Sequence, residues 1–494
     1  MSSSQEHATP TTLPLWKEPE LLVAGLLVIG VFLTRLSALG LQGEETRRAQ
    51  VAAEILQTGD WIVPRQQGTI YLSRPPFGSW PIAALAAVRG QLDVVAIRLP
   101  TVAAIVLTTL LIYGYSRNYV GRLGAFAAAV AYPTMGQVLQ IGRVAETEGL
   151  FTLLVAGSLL LWHWGYLKGW PAAMTWSIGY GAAALAGLTK GPQGPIYFVA
   201  ATSIFLAVVR DRSFFLCRGH VIGVALFLLI VGSWQLAYFW QTDLAASRQI
   251  WMQNAVNRFT IDDRGAFLRH VASYPFEVLV CMLPWSVCLL QFANPKFVKG
   301  LADVRRQGTF LAVCLVVSFP TVWLATGARG RYYMPLYPVA AVLIGLTAER
   351  CFQAADRSIM RRGWRSYVIG MAVLFLVGAL TVVAAGPIDH PMLAEIAQEA
   401  RLTGLLLLVA VVSAVWLVVT RNTRQVRFAQ ASMLVCATLL GLAYTGPMIN
   451  ITRRNLQDVA GAVAEVRERL PADANLVSLG IVSHKFRHYY GRPI

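Results

Sequence analysis

Apolar runs of about 20 residues recur along this chain, separated by short polar connections. Leu21 to Leu41, Ser366 to Gly386 and Leu402 to Thr420 each reach the length needed to cross roughly 30 Å of hydrocarbon. Short strands of alternating polarity are absent, so the pattern predicts an all-α polytopic membrane bundle and not a barrel.

The stretch Phe77 to Leu92 is ambiguous by hydropathy: it reads either as a short span or as a helix lying at the interface. Charge decides between them. If it does not cross, thirteen spans fall near 21–41, 98–116, 123–142, 149–167, 172–189, 192–209, 219–240, 272–292, 309–326, 333–349, 366–386, 402–420 and 428–448. Every second connection is then short and basic: Arg117 and Arg122; Lys168; Arg210, Arg212 and Arg218; Lys296 to Arg306; Arg350 to Arg365; Arg421 to Arg427. By the positive-inside rule those loops are cytoplasmic. The expected organisation is a cytoplasmic segment 1–20, a transmembrane domain 21–448 with a first outer loop 42–97 carrying juxtamembrane helices, and an outer-face segment 449–494. That last segment reads as a helix from Asn455 followed by a strand at Leu476 to Leu479, the opening of a small α/β domain that is either vestigial or cut short.

Composition agrees with the pattern. Of 494 residues, 56% are apolar and 14% charged, too few polar side chains to cover a soluble globule of this size. The net charge of +17 is spread between spans and not gathered in one domain, so nucleic acid is not expected as a partner. Six cysteines lack CxxC or Cys/His spacing and support neither a disulfide framework nor a zinc site. His163, between Trp162 and Trp164, reads as an interfacial residue.

With only 25 Asp and Glu in the chain, two acidic clusters at span ends stand out: Glu44-Glu45-Thr46-Arg47-Arg48 and Glu146-Thr147-Glu148. On the topology above both face the outer side. Ala49, Val51, Ala52, Ile55 and Leu56 give the residues after Glu45 an apolar stripe, so a helix should lie along the membrane surface there. For an isolated pair the plain reading is helix capping and dipole stabilisation, worth up to about 1 kcal/mol. The neighbours change the weighting. Arg47, Arg48, Arg74, Lys190, Arg258, Arg329 and Arg331 lie on the same side, where orientation bias depletes cations. An anion with an apolar tail, such as a lipid phosphate, accounts for both the cations and their depth.

The run EETRRAQVAAEILQTGDWIVP, followed by YLSRPPFGSW, resembles the first periplasmic loop of the ArnT-type lipid A aminoarabinose transferases and the related protein mannosyltransferases, which are glycosyltransferases of the GT-C fold. The likeness continues in order through Leu188-Thr189-Lys190-Gly191-Pro192, Asn257-Arg258-Phe259, Leu283-Pro284-Trp285 and Arg331-Tyr332-Tyr333-Met334-Pro335-Leu336-Tyr337-Pro338. What the resemblance implies is transfer of a sugar from a polyprenyl-phosphate donor to a lipid, protein or glycan acceptor at the extracytoplasmic face of the inner membrane. Glu44 falls at the family's catalytic Asp, Arg47 at its phosphate-contacting Arg, and Glu148 at a second acid. Arg74, Lys190 and Arg258 match basic positions near the carrier phosphate, Tyr333 matches a pocket tyrosine, and His270 lies in the loop that supplies a metal-site His in some members. Glu45 and Arg331 join them as substrate-binding candidates.

Two departures matter. Glu44 replaces an Asp, moving the carboxylate by about 1.5 Å. Leu72-Ser73-Arg74-Pro75 stands where the family has an aromatic-Glu-Lys-Pro run, which removes a carboxylate that would help bind a metal; a divalent cation is doubtful and no cofactor is certain. The chemistry expected is a single displacement with inversion, Glu44 as general base, Glu148 as a second catalytic acid that positions the acceptor or supports Glu44, and the cations on the leaving phosphate. Two alternatives stay open: a lipid-linked-sugar flippase, which would place charges near the midplane on broken helices, and a noncatalytic polyprenyl-phosphate binder.

Overall fold

The computed structural model describes residues 14–255, 263–354, 358–384, 399–422, 425–456, 458–471, 474, 476–478, 480, 482–492 and 494. Helix covers the apolar part of each expected span, several of them interrupted. The stretch 123–142 is the helix Arg122–Ala131, a 3-10 turn Tyr132–Thr134 and the helix Gly136–Ile141; Pro133 lacks the N–H that an unbroken helix needs there. The last span runs from Val426–Ala443 into a π turn, Tyr444–Met448, that contains Pro447. Among the described residues five stretches are long and apolar enough to cross a membrane by length and composition, beginning at Val94, Thr147, Arg212, Arg361 and Val426; Pro19–Leu33, Gln193–Val208 and Arg401–Trp416 are shorter apolar helices. The helix Arg218–Gln241 turns large apolar groups outward, Leu229 at 66% and Trp240 at 78% exposed. Surface of this kind calls for hydrocarbon, not water, around the bundle.

The stretch that charge excluded as a span forms the helix Trp80–Arg89, 10 residues long. That is about 15 Å of rise, half the hydrocarbon thickness. It lies against Glu45–Thr58 and Val94–Ser116, so the first outer loop carries two short helices and a two-residue hairpin, Arg65–Gln66 with Thr69–Ile70. Ala49, Val51, Ala52 and Ile55 of the first helix pack with Tyr71, Ile82 and Ile97, so the stripe read from the sequence is buried except at Leu56, which is exposed.

At the core, Tyr337–Gln353 is buried along almost its whole length. It meets Arg122–Ala131 so closely that a Cβ at Gly345 would stand 2.2 Å from the Gly124 carbonyl oxygen. Glu349 takes the Gly121 and Gly124 amides at 2.8 Å each, filling the open donors at that helix start. His163 is not interfacial as expected: it is fully buried, its Nδ1 2.5 Å from the Tyr115 hydroxyl and its ring stacked on Phe310 at 3.9 Å. The helix carrying it is enclosed by its neighbours, a tertiary fact that local Trp flanking does not encode.

The C-terminal segment also departs from expectation. Leu476 to Ser478 form no strand, and Leu479 lies outside the described residues; a solitary strand has no partner for its backbone groups. The helix expected from Asn455 is present as Val459–Arg469, and a second helix, His484–Tyr490, follows it. The second docks on the first outer loop: the Leu41 amide donates to the Tyr489 hydroxyl at 3.1 Å, Gln50 Nε2 to the His484 carbonyl at 2.8 Å, and His484 Nε2 lies 3.0 Å from the Gly43 carbonyl.

Candidate functional site

The loop out of the first span must turn sharply to start the surface helix, and Gly43 makes the turn at φ +48°. A Cβ there would lie 2.5 Å from Glu146 Oε1. Glycine is therefore required twice, for the left-handed backbone and for the close approach. The same Glu146 oxygen accepts the Glu44 amide at 3.2 Å and faces Arg331 Nη1 at 3.4 Å. Two acidic clusters that are 102 residues apart in sequence are joined at this point.

Around this junction Glu44, Arg47, Arg74, Glu148 and Arg331 line a cavity of about 310 Å³ together with Arg48, Tyr71, Ser73, Glu146, Thr147 and Tyr332. Four guanidinium groups face three carboxylates there. Glu44 and Arg47 pair at 3.1 Å on the open side, each about one third exposed. Glu148 sits deeper, 3.1 Å from Lys190 Nζ and 3.8 Å from Arg331 Nε. Burial, and next the charge of Glu148, hold the Glu146 carboxyl above the ordinary carboxylate range in spite of Arg331.

Several expected site residues stand elsewhere. Glu45 is wholly buried and faces away from the cavity: Arg98 meets it with two 2.8 Å bonds, and the Ala145 and Gln42 amides donate to it at 2.8 and 2.7 Å. Its carboxylate is spent on holding loop to span, which leaves no acceptor for a substrate group. Lys190 ends the helix Ala172–Lys190 beneath Glu148, between the rings of Phe151 and Tyr332 at 5.3 and 4.9 Å, and is not part of the cavity wall. Gly191 follows at φ +91°, so the Gly/Pro run makes a turn there. Tyr333 points into the core, its hydroxyl donating to the Leu315 carbonyl at 2.7 Å, and its neighbour Tyr332 takes the wall. A 3-10 turn over Gly330–Leu336 explains the exchange, since successive side chains there diverge by about 120°. His270 lies in the helix Arg264–Cys281, its Nε2 3.4 Å from the Val322 carbonyl, and is not part of the wall either. Arg258 lies outside the described residues. Among the described residues no three His, Cys, Asp or Glu side chains gather as metal ligands.

Sequence reasoning counted Arg48 only among the outer-side cations and gave no role to Tyr71. Arg48 is 5% exposed, donates to the Tyr71 hydroxyl at 3.2 Å, and has a buried Nε without a partner. Glu146 was visible in its motif, but nothing local showed that it meets Gly43.

The fold and this site define a polytopic membrane bundle of GT-C architecture with a mixed-charge cavity at one end. Residues 73–236 match the family model described as dolichyl-phosphate-mannose-protein mannosyltransferase. The chain is 28% identical over 385 residues to undecaprenyl phosphate-alpha-4-amino-4-deoxy-L-arabinose arabinosyl transferase 2 of Pseudomonas fluorescens, covering 74% of this chain and 62% of that protein. It is 28% identical over 358 residues to the Pseudomonas aeruginosa PAO1 transferase of the same activity, covering 71% and 63%. It therefore spans less than two thirds of the length of these relatives. In structure it resembles ArnT from Cupriavidus metallidurans, with a TM-score of 0.77 and 17% identity for the apo form, over 97% of this chain and 85% of that one. The form bound to undecaprenyl phosphate gives a TM-score of 0.76 at 18% identity, over the same shares. The resemblance read from the loop motifs is borne out: the chain is ArnT-like in sequence and in fold.

Proposed function

We propose that this chain is a membrane glycosyltransferase that moves a sugar from a polyprenyl-phosphate carrier to a lipid, protein or glycan acceptor at the extracytoplasmic face of the inner membrane, with thirteen crossings as counted from charge. The observation that carries the reading is the cavity in which Glu44, Glu146 and Glu148 face Arg47, Arg48, Arg74 and Arg331 at the end of the bundle. The two Pseudomonas relatives, undecaprenyl phosphate aminoarabinose transferases by name, agree with it.

The chemistry is a single displacement. An acceptor hydroxyl attacks the anomeric carbon, the bond from that carbon to the carrier phosphate breaks, and the proton passes to Glu44. Glu44 suits the role because its carboxylate is a third exposed and borders the cavity. Negative charge grows on the departing phosphate, where Arg47 and Arg74 offer guanidinium donors from the wall. Attack from the face opposite the phosphate inverts the anomeric centre. Glu148 in the cavity wall and Lys190 beneath it act together as a neutral pair that holds Arg331.

Purified protein in membrane lipid, given labelled polyprenyl-phosphate sugars, should release polyprenyl phosphate, and Arg47→Ala should weaken donor use by tenfold or more. Donor that binds through Arg47 but is never consumed, with any acceptor class, would sink the transferase reading in favour of a carrier-binding protein.

A further inference from the structure

A second site lies at the same end of the bundle, sharing no wall residue with the Glu44 cavity. The helices Pro19–Leu33 and Val426–Ala443 leave between them an apolar groove of about 460 Å³, walled by Leu26, Gly30, Val31, Leu434 and Leu442. It runs from Val23 to Thr34, about 16 Å of helix rise and the reach of an acyl chain. Gly30 faces this open space, where a Cβ would meet nothing within 4 Å.

At the groove's outer end stand Arg35 and Arg143. Arg35, at φ +56°, donates to the Thr445 carbonyl at 3.0 Å and to Asn450 Oδ1 at 2.9 Å. Arg143 is 6% exposed, donates through Nη2 to the Phe32 and Thr34 carbonyls, and lies 5.8 Å from the Tyr444 ring. Capping the carbonyls at the end of Pro19–Leu33 explains those bonds, since cations favour helix C-termini. It does not explain Arg143 Nη1, which is buried without a hydrogen-bond partner. Nor does it explain the charge: among the described residues no carboxylate forms an ion pair with Arg35 or Arg143, while the third arginine of this corner, Arg98, is neutralised by Glu45. Burial, and then the charges of Arg98 and Arg35, bring the Arg143 guanidinium down to about 10. The three arginines wall a pocket of about 20 Å³, room for a single oxygen atom or water.

We infer that this corner binds an anionic phospholipid of the adjoining leaflet, one acyl chain in the groove between the first and last spans and one phosphate oxygen reaching Arg143 Nη1 beside Arg35. Net negative charge is what the two arginines require, and a single-oxygen pocket that begins at Arg35 and Tyr444, next to the Thr34 and Thr445 end of a chain-length groove, fits a headgroup at the membrane surface better than a free ion. The bound lipid would tie the loop 34–45, which leads directly to Glu44, to the last span.

The test uses the full chain in nanodiscs of phosphatidylcholine with a minor share of phosphatidylglycerol, with retained lipid counted by native mass spectrometry. Arg35→Gln removes headgroup contact at an exposed residue, and Gly30→Leu fills the groove without touching a charge. Phosphatidylglycerol should be retained over phosphatidylcholine by the native chain and about tenfold less by Arg35→Gln, the loss expected for one charge-assisted contact; Gly30→Leu should lower retention as well, with its melting in pure phosphatidylcholine unchanged. Equal retention of the two lipids by the native chain, or no effect of either variant, overturns the proposal. So does displacement by an equal load of polyprenyl phosphate, which would make the corner a carrier site. None of these readouts depends on glycosyl transfer, so failure here leaves the proposed function standing, and the reverse holds.

Discussion

Glu44 and Glu45 are neighbours at the start of one helix, yet they belong to opposite kinds of region. Around Glu45 every charge is answered: Arg98 gives two bonds to the carboxylate and three more to the Leu36, Leu39 and Gly40 carbonyls, all between 2.7 and 3.0 Å. Around Glu44 the bonds are longer, two cations are in excess once Lys190 is counted with the four arginines, and a cavity remains. The far end of the bundle repeats the first kind, with Glu18 bonded to Arg117 at 2.8 Å and to the Tyr113 hydroxyl at 2.5 Å. Saturated ion pairs hold the bundle together, and unsaturated ones are left for a ligand.

The sharpest way to break this contrast is to neutralise Glu44. Glu44→Gln keeps shape and leaves the Glu44 amide on Glu146. Turnover should fall by about 10² to 10⁴, the usual value of a general base, while the melting temperature stays within a degree or two. Loss of fold together with turnover would move Glu44 into the structural region and end the comparison.

Next in size is Arg98→Ala. It strands the Glu45 carboxylate at full burial, and removal of one partner from such a pair costs about 3–5 kcal/mol. Thermal unfolding in lipid should show the drop, and donor binding by the surviving folded fraction should be unchanged. A variant that melts like the native chain would mean that Glu45 simply takes up a proton, and that the pair contributes little.

How much of this was legible in the chain follows from the same distinction. The helices and the non-crossing stretch Trp80–Arg89 came from hydropathy and charge, because lipid imposes its length on each segment separately. Glu44, Arg47, Arg74, Glu148 and Arg331 came from residue type and side of the membrane. What was hidden depends on rotation and on distant partners. Residue type alone put Glu45 beside Glu44 as a site candidate, because its partner Arg98 lies 53 residues on; Tyr332 and Tyr333 differ only by the twist of a 3-10 turn; and the docking of His484–Tyr490 on the first outer loop joins residues 448 positions apart.

A smaller effect should come from Gly43→Ala. The backbone is left-handed there, and the added methyl meets Glu146 Oε1, so the loop must give way. Strain of this kind is worth about 1–3 kcal/mol. Relief by moving the Glu44 loop should lower kcat more than donor affinity, because Arg74 and Arg331 enter the cavity from other elements. An equal fall in both would mean that the loop carries donor contacts of its own.

The smallest effect is the pH dependence of stability at Glu146. Its carboxyl holds a proton to higher pH in the native protein than in the unfolded chain, because burial and Glu148 outweigh Arg331. Between the ordinary glutamate value, about 4.3, and the raised native one, the native state binds more protons than the unfolded state. Stability must then fall as pH rises through that window and level off above it, with a slope no steeper than about 1.4 kcal/mol per pH unit for one group. Glu146→Gln is neutral in both states and keeps an acceptor for the Glu44 amide, so it should flatten this segment of a melting-temperature profile and leave the acid limb from Glu18 and its like in place. Glu18 titrates with the opposite sign: its bond to Arg117, with smaller help from Tyr113, outweighs burial and lowers its native value, so its contribution is present above the ordinary range and lost as pH falls. The two glutamates thus separate the regions by sign, one destabilised by its charge and one stabilised by it. A Gln variant with the native slope would place Glu146 among the saturated pairs.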